Sequence, residues 1–225
     1  MLRRIGFLGG SFDPVHNGHL QLALAAARAL ALEEVRFIPS AQSWQKDVPG
    51  ASGEQRAAML RLALAQPAVQ AAQAQFTVDE RELARGGMSY SIDTARELRA
   101  GLGPDVALFM LLGADQFLNL ATWREWRGLF DLVNIAAAGR PGYELDQQYW
   151  PQEIVGACAS RVVDSLKMAT TKAFGEMHLI KMAPVEVSAT ALRAALEQHA
   201  GRADLAAMLP APVFDYIERW QIYST

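Results

Sequence analysis

Gly9-Gly10-Ser11-Phe12-Asp13-Pro14-Val15-His16-Asn17-Gly18-His19-Leu20 joins a short apolar run, Ile5–Leu8, to an alanine- and leucine-rich segment, Leu22–Leu32. The run reads as a buried strand and the segment as a helix, so the quoted stretch is the loop of a strand–loop–helix unit. Two adjacent glycines let the backbone turn sharply and approach a ligand with no Cβ in the way, and Pro14 stiffens the remainder of the loop. His16 and His19 stand three apart and share a face if the helix begins near Gly18. A helix N-terminus already offers free N–H groups and the positive end of the helix dipole, so two imidazoles added there suit phosphate oxygens. A lone histidine more often caps or packs, but this loop holds two of the chain's four. The glycine spacing is not that of the dinucleotide fingerprint, and no GxxxxGK[ST] loop occurs in the chain.

Working outward, Val35–Ile38 reads as a second strand closed by Pro39, and Phe76–Val78 as a third. Val106–Leu112 is a continuous apolar run, hence a buried central strand, with Val133–Ala138 and His178–Met182 as the fifth and sixth. In the first helix Gln21 and Arg28 are the only strongly polar positions before Glu33, and they fall on one stripe, which leaves the rest for a sheet. Ser52 and Gln55 form a capping box for a helix carrying Met59, Leu60 and Leu62–Leu64. Thr122 and Glu125 form another, with Trp123 and Trp126 in the first turn of the helix it opens. A helix with Ile92, Ala95 and Leu98 follows Ser91, and one near Pro151–Ala159 interrupts a weak pattern from Tyr143 to Lys172. Ser188 N-caps a helix to about His199, and two more, near Arg202–Met208 and Val213–Trp220, finish the chain. Ser40–Gly50 reads as an irregular loop over the sheet's C-terminal edge. Strands alternating with helices predict an α/β fold with a doubly wound, mostly parallel sheet, its ligand site beyond the carboxyl ends of the strands where the strand order switches. One domain over residues 1–225 is expected, with a small helical C-terminal extension over about 188–225.

Half of the 225 residues are apolar, enough for a full core. Lys plus Arg is 21 against 24 Asp plus Glu, a net charge of −3 with no basic block, which argues against a nucleic-acid partner. Cys158 is the only cysteine, excluding an intrachain disulfide and any multi-cysteine metal site and fitting a reducing compartment. Arg3 and Arg4 precede apolar residues, but Gly9, Gly10 and Asp13 cut that run too short for a signal peptide, and no segment has the length of a membrane span. The expectation is a cytoplasmic protein with no membrane contact; the oligomeric state is not legible.

GGSFDPVHNGHL closely resembles the GxFDPxHxGH signature of the HxGH-containing nucleotidyltransferases, and the chain is similar in particular to the nicotinate-nucleotide adenylyltransferases, from Ile5 to about Tyr216. The resemblance implies a Rossmann-like nucleotidyltransferase fold and an ATP site built from Gly9, Gly10, Ser11, Phe12, His16, His19, Gly113, Asp115, Ser188, Thr190 and Arg193. Ser188 suits an N-cap, while Thr190 and Arg193 lie three apart on one face, so a hydroxyl, free N–H groups and a guanidinium can meet one phosphate. Alone this would be an ordinary capped surface helix; here it resembles the family's SxTxxR phosphate motif. Gly113 and Asp115 match GxD, where glycine permits close approach and a carboxylate accepts from ribose hydroxyls. Lys46 resembles the basic residue placed near the triphosphate, although Ser43-Trp44-Gln45 replaces the usual PPH before it.

For the second substrate, Ser89-Tyr90-Ser91 resembles the family's SYT, whose backbone N–H groups meet a nicotinate carboxylate. Trp123 occupies the place of the aromatic that stacks on the pyridine ring, though a tryptophan in a helix's first turn is more often core. Asp79-Glu80 and Arg140-Pro141-Gly142 also match; Arg140 either pairs with substrate phosphate or braces its loop. Lys167–Lys172 faintly resembles the KMSKS loop of class I aminoacyl-tRNA synthetases, but its second lysine is misplaced and it reads as a solvated loop. The implied reaction takes ATP and nicotinate mononucleotide to nicotinate adenine dinucleotide and pyrophosphate. His16, His19, Lys46 and Arg193 are the candidate charge-stabilising donors, and Mg²⁺ is carried mainly by the ATP phosphates with no metal site of the protein's own. The alternatives are another phosphate acceptor, nicotinamide mononucleotide or phosphopantetheine, and a nucleotide sensor of the same fold that has lost the reaction.

Overall fold

Every residue from Val106 to Leu112 is buried in the computed structural model, which describes residues 2–43, 49–139, 145–163, 172–183 and 187–223. Successive side chains of a strand point to opposite faces. Leu108, Met110 and Leu112 accordingly enter one apolar cluster, and Ala107, Phe109 and Leu111 the other. A strand wanted on both faces has to lie mid-sheet, and this one does.

The strands are β1 (Arg3–Gly10), β2 (Glu34–Pro39), β3 (Gln42–Ser43), β4 (Gln75–Val78), β5 (Met88–Ser89), β6 (Val106–Gly113), β7 (Asn134–Ala138), β8 (Val162–Val163) and β9 (Met177–Ile180). Seven form one sheet in the order β4-β2-β1-β6-β7-β9-β8, and β3 pairs with β5 apart from it. Every pairing among the described residues is parallel. The chain steps outward from β1 to β2 and β4, then returns to the other side of β1 with β6. The switch in strand order therefore falls between β1 and β6, and in sheets of this kind the ligand crevice lies there, beyond the carboxyl ends.

One face is covered by helices Asn17–Leu30, Gly53–Leu64, Ala189–Glu197 and Ala211–Trp220, the other by Ser91–Leu102 and Gln152–Cys158. The first helix buries Leu20, Leu22, Ala23, Ala26, Ala27 and Leu30, leaving Gln21 and Arg28 on its exposed stripe as their spacing predicts. At the second helix Ser52 Oγ accepts from Gln55 N–H and Gln55 Oε1 accepts from Ser52 N–H, the reciprocal pair of a capping box. The C-terminal helices share the main core through Leu192, Val213 and Ile217, each at most 1 % exposed.

Three readings of the sequence are corrected. Thr122 and Glu125 cap no α-helix: Thr122 Oγ1 donates back to the Asn119 carbonyl, Glu125 takes φ 50°, and two short 3-10 turns, Leu120–Thr122 and Trp126–Asp131, stand there instead. The left-handed backbone of Glu125 breaks the first turn that Thr122 would have capped. Gly9 and Gly10 do not turn; they pair with Ile38 and Pro39 as the last rungs of β1. The reversal falls to Phe12, at φ 49° with its ring 1 % exposed and 5.7 Å from that of Phe37. Burying a phenylalanine contributes about 2–3 kcal/mol, enough to offset the roughly 1–2 kcal/mol of a left-handed backbone. Finally, β3 interrupts the expected Ser40–Gly50 loop; like β5 and β8 it is two residues long, too short to carry a periodic signal.

Candidate active site

Because Phe7 stands opposite Met110, β1 and β6 end side by side, and the loop after Gly10 shares the crevice with Gly113 and Asp115. His16 is the N-cap of the first helix, in extended conformation, and its ring stacks on that of His19 with centroids 3.7 Å apart and planes 23° apart. The His16 backbone N–H donates to His19 Nδ1 at 3.2 Å. A neutral imidazole that accepts at Nδ1 carries its proton on Nε2, so this bond makes Nε2 the donor. The Phe12 ring meets His19 edge-on at 4.9 Å and fixes the other side of the imidazole. Gly18 leaves room for both neighbours: a Cβ there would sit 2.9 Å from Val187 Cγ1 and 3.1 Å from His16 Nδ1, so one or both side chains would have to shift.

Val187 opens the second segment. Ser188 accepts from Ala191 N–H at 3.2 Å and caps helix Ala189–Glu197, with Thr190 exposed in its first turn. Arg193 reaches back across the molecule: Nη1 donates to the Asp13 carbonyl at 2.7 Å and lies 3.6 Å from Asp13 Oδ2. Asn17 donates through its backbone to Met208 O at 2.8 Å and through Nδ2 to Ala207 O at 2.9 Å. The two phosphate-binding patterns read from the sequence, almost the whole chain apart, are thus bonded to one another.

Two residues that sequence reasoning missed buttress this junction. Arg56, 2 % exposed, donates through Nη1 to Ser11 O at 2.7 Å and through Nε to Ala51 O at 3.3 Å. Burial pulls its guanidinium below the usual arginine range, and the Asp13 charge opposes that. The available signal was a charged residue on the apolar stripe shared with Met59, Leu60 and Ala63. Tyr223 donates its hydroxyl to Asp13 Oδ1 at 2.6 Å, and nothing local marks it.

At the end of β6, a Cβ on Gly113 would come within 2.8 Å of Asp115 Oδ1, so the glycine lets the carboxylate fold back over the strand end. On the far side of the crevice Ser89 Oγ accepts from Ala41 N–H at 3.0 Å, which ties β3 to β5. Ser91 opens helix Ser91–Leu102 behind Tyr90, and Arg124 lies over the Tyr90 ring at 4.8 Å. Arg96 pairs with Glu125 at 2.5 Å, so the turn that carries Trp123 docks against the Ser89-Tyr90-Ser91 segment. Trp126 is 6 % exposed and belongs to the core, whereas Trp123 is half-buried with its Nε1 out of solvent and without a partner among the described residues. Glu82, also unforeseen, is buried beneath this segment and bonded to Thr94 and Ser89; burial pushes its carboxyl up.

Lys46, Arg140 and the Lys167–Thr171 part of the KMSKS-like segment lie outside the described residues. Among the described residues no group of three His, Cys, Asp or Glu side chains could hold a metal ion, and no helix is long and apolar enough to cross a membrane. Cys158 is wholly buried, with its thiol pushed up to about 11 by burial, and is no nucleophile.

The chain matches the Cytidylyltransferase-like family over residues 7–195. It is 40 % identical to a probable nicotinate-nucleotide adenylyltransferase of Herminiimonas arsenicoxydans over 223 residues, 99 % of this chain and 98 % of that one. A second, of Chromobacterium violaceum, is 40 % identical over 224 residues, 99 % of this chain and all of its own. In three dimensions it is similar to the Plasmodium falciparum nicotinic acid mononucleotide adenylyltransferase complexed with NaAD, with a TM-score of 0.76 at 17 % identity, covering 98 % of this chain and 97 % of that one.

Proposed function

Because the chain belongs to the Cytidylyltransferase-like family and, within it, to the nicotinate-nucleotide adenylyltransferases, we propose that the crevice between β1 and β6 is where it carries out their reaction. The enzyme transfers the adenylyl group of ATP to nicotinate mononucleotide, giving nicotinate adenine dinucleotide and pyrophosphate in NAD synthesis. A phosphate oxygen of the mononucleotide attacks the α-phosphorus of ATP; the bond from that phosphorus to the α–β bridging oxygen breaks, and its electron pair leaves with pyrophosphate. The attacking phosphate is already ionised at neutral pH, its second pKa being about 6, so no general base is needed. Catalysis then rests on alignment and on stabilising the charge that builds on the α-phosphate and the leaving group.

In this reading His19 Nε2–H and the Arg193 guanidinium stabilise that charge together with His16 and Lys46. Gly9, Gly10, Ser11, Phe12, Ser188 and Thr190 line the triphosphate path, and Gly113 and Asp115 receive the ribose. Ser89, Tyr90 and Ser91 take the nicotinate carboxylate on backbone N–H groups, Trp123 stacks on the pyridine ring, and Arg140 meets substrate phosphate. An ATP-using adenylyltransferase works with a divalent cation, here Mg²⁺. Such an ion would be held mainly by the ATP phosphates, and no step assigned to the protein runs through it. The one domain extends over residues 1–225, its C-terminal helices forming part of the triphosphate site.

The observation that carries the assignment of roles is the bond from Arg193 Nη1 to the Asp13 carbonyl, which sets the SxTxxR helix against the loop leading to His16. The test is pyrophosphate release by the purified protein with ATP and, in parallel, nicotinate mononucleotide, nicotinamide mononucleotide or phosphopantetheine. The acid mononucleotide should react fastest. Equal rates with acid and amide would remove the carboxylate role of Ser89-Tyr90-Ser91, and ATP binding without pyrophosphate release would favour a sensor.

A further inference from the structure

Asp13 is 3 % exposed and holds none of the roles above, yet donors from distant parts of the chain converge on its side chain. Oδ2 accepts from Gly50 N–H at 2.9 Å, and Oδ1 from Ala51 N–H at 3.0 Å and from the Tyr223 hydroxyl at 2.6 Å. Arg193, bonded to the carbonyl of the same residue, stands 3.6 Å from Oδ2. Arg56 holds the neighbouring Ser11 carbonyl at 2.7 Å. Tyr223 is not there by default. Its φ is +65°, and Gln221 just before it is also left-handed at 47°. A bulky residue holds such a backbone only where its surroundings fix it. The ring lies against Gly50, where a Cβ would come to 3.0 Å from Tyr223 Cδ1 and Cε1, so a side chain at residue 50 would push the ring away. Burial, and then the bond to Asp13, pushes the phenol well above its usual range, so it remains a donor at any working pH.

Resting on the adenylyl-transfer reading, we propose that Tyr223 is a positioning residue for the reaction: its hydroxyl fixes the Asp13 carboxylate, and through Asp13 it fixes both the Arg193 guanidinium and the loop that presents His16. The carboxylate accepts three hydrogen bonds, and losing the hydroxyl leaves Oδ1 with the Ala51 N–H alone, which loosens its orientation. Arg193 is anchored to the same residue, so its remaining N–H groups lose their aim at charge that develops only as pyrophosphate leaves. Such a loss falls on kcat more than on substrate binding.

The test uses the full chain with Tyr223→Phe, which keeps the ring against Gly50 and deletes only the hydroxyl. The expected result is a kcat down about tenfold with KM for nicotinate mononucleotide within about twofold of wild type, at a temperature where circular dichroism shows the variant folded. Trp220→Ala, on the preceding helix and 56 % exposed, should keep the wild-type kcat. In a double-mutant cycle with Arg193→Lys, the double variant should lose clearly less than the product of the two single losses. Folded Tyr223→Phe with wild-type kcat, single losses that simply multiply, or a rate that tracks only the folded fraction would each overturn the inference. A wild-type protein that releases no pyrophosphate would instead remove the reading beneath it.

Discussion

Adding one methyl group at Gly18 should damage catalysis far more than folding. The Cβ of an alanine would lie 2.9 Å from Val187 Cγ1 and 3.1 Å from His16 Nδ1, where ordinary contacts are 3.4–4 Å. Relieving both demands that the helix start and the Val187-Ser188 segment separate, or that the imidazole rotate, by roughly 0.5–1 Å. Alanine is the better helix former by about 1 kcal/mol, and overpacking costs about 1–3 kcal/mol, so the two nearly cancel in stability. They do not cancel in rate, because misplacing donors by about 1 Å costs on the order of 100-fold. Gly18→Ala should therefore melt within a few degrees of wild type while its kcat for pyrophosphate release falls about 10- to 100-fold. Adding Val187→Ala should recover part of the loss by removing the nearer clash. A folded Gly18→Ala enzyme with kcat within twofold of wild type would show that the two segments need not be in register, against the reasoning given for the whole site.

His19→Ala removes the Nε2–H donor and should lower kcat about 10²- to 10³-fold, or roughly 3–4 kcal/mol, while leaving the protein folded; retention of turnover within a few-fold would deny His19 its role. His178 predicts a pH dependence of stability. It is 2 % exposed, and burial, then the Arg4 charge, lowers its pKa from 6.5 to about 4, despite Glu176 Oε2 at 3.5 Å. Between those values the unfolded chain binds a proton that the folded chain does not, so stability falls as pH drops from about 6.5 toward 4. Urea titrations at pH 7.5 and 4.5 should differ by about 2–3 kcal/mol from this group. His178→Leu should reduce that difference, and an unchanged difference would rule His178 out as its source.

The strongest local patterns were those that survived folding. Val106–Leu112 is buried on both faces, the first helix shows only its Gln21–Arg28 stripe, and Ser52 and Ser188 cap where their positions say they should. Thr122–Glu125 carried the same capping signal and failed, because Glu125 is left-handed and Trp126 was drawn into the core. The two tryptophans could not be told apart by spacing; only packing sends Trp126 inside and leaves Trp123 half-buried against the same core cluster. Arg56, Glu82 and Tyr223 were overlooked for a related reason. A buried charge or hydroxyl is recognised by its partners, and Ser11, Thr94 and Asp13 stand 45, 12 and 210 positions from Arg56, Glu82 and Tyr223, beyond the reach of a local pattern.

The order of residues alone determined the parallel α/β class and the placement of His16 and His19 at a helix start after a strand, because periodicity and loop chemistry act within a few residues of each other. That Arg193 and Tyr223 both end on Asp13, and that Gly18 leaves room for Val187, was decided only when the sheet closed. Those contacts join segments up to 210 positions apart, and no local preference encodes a meeting that exists only once the core between them has packed.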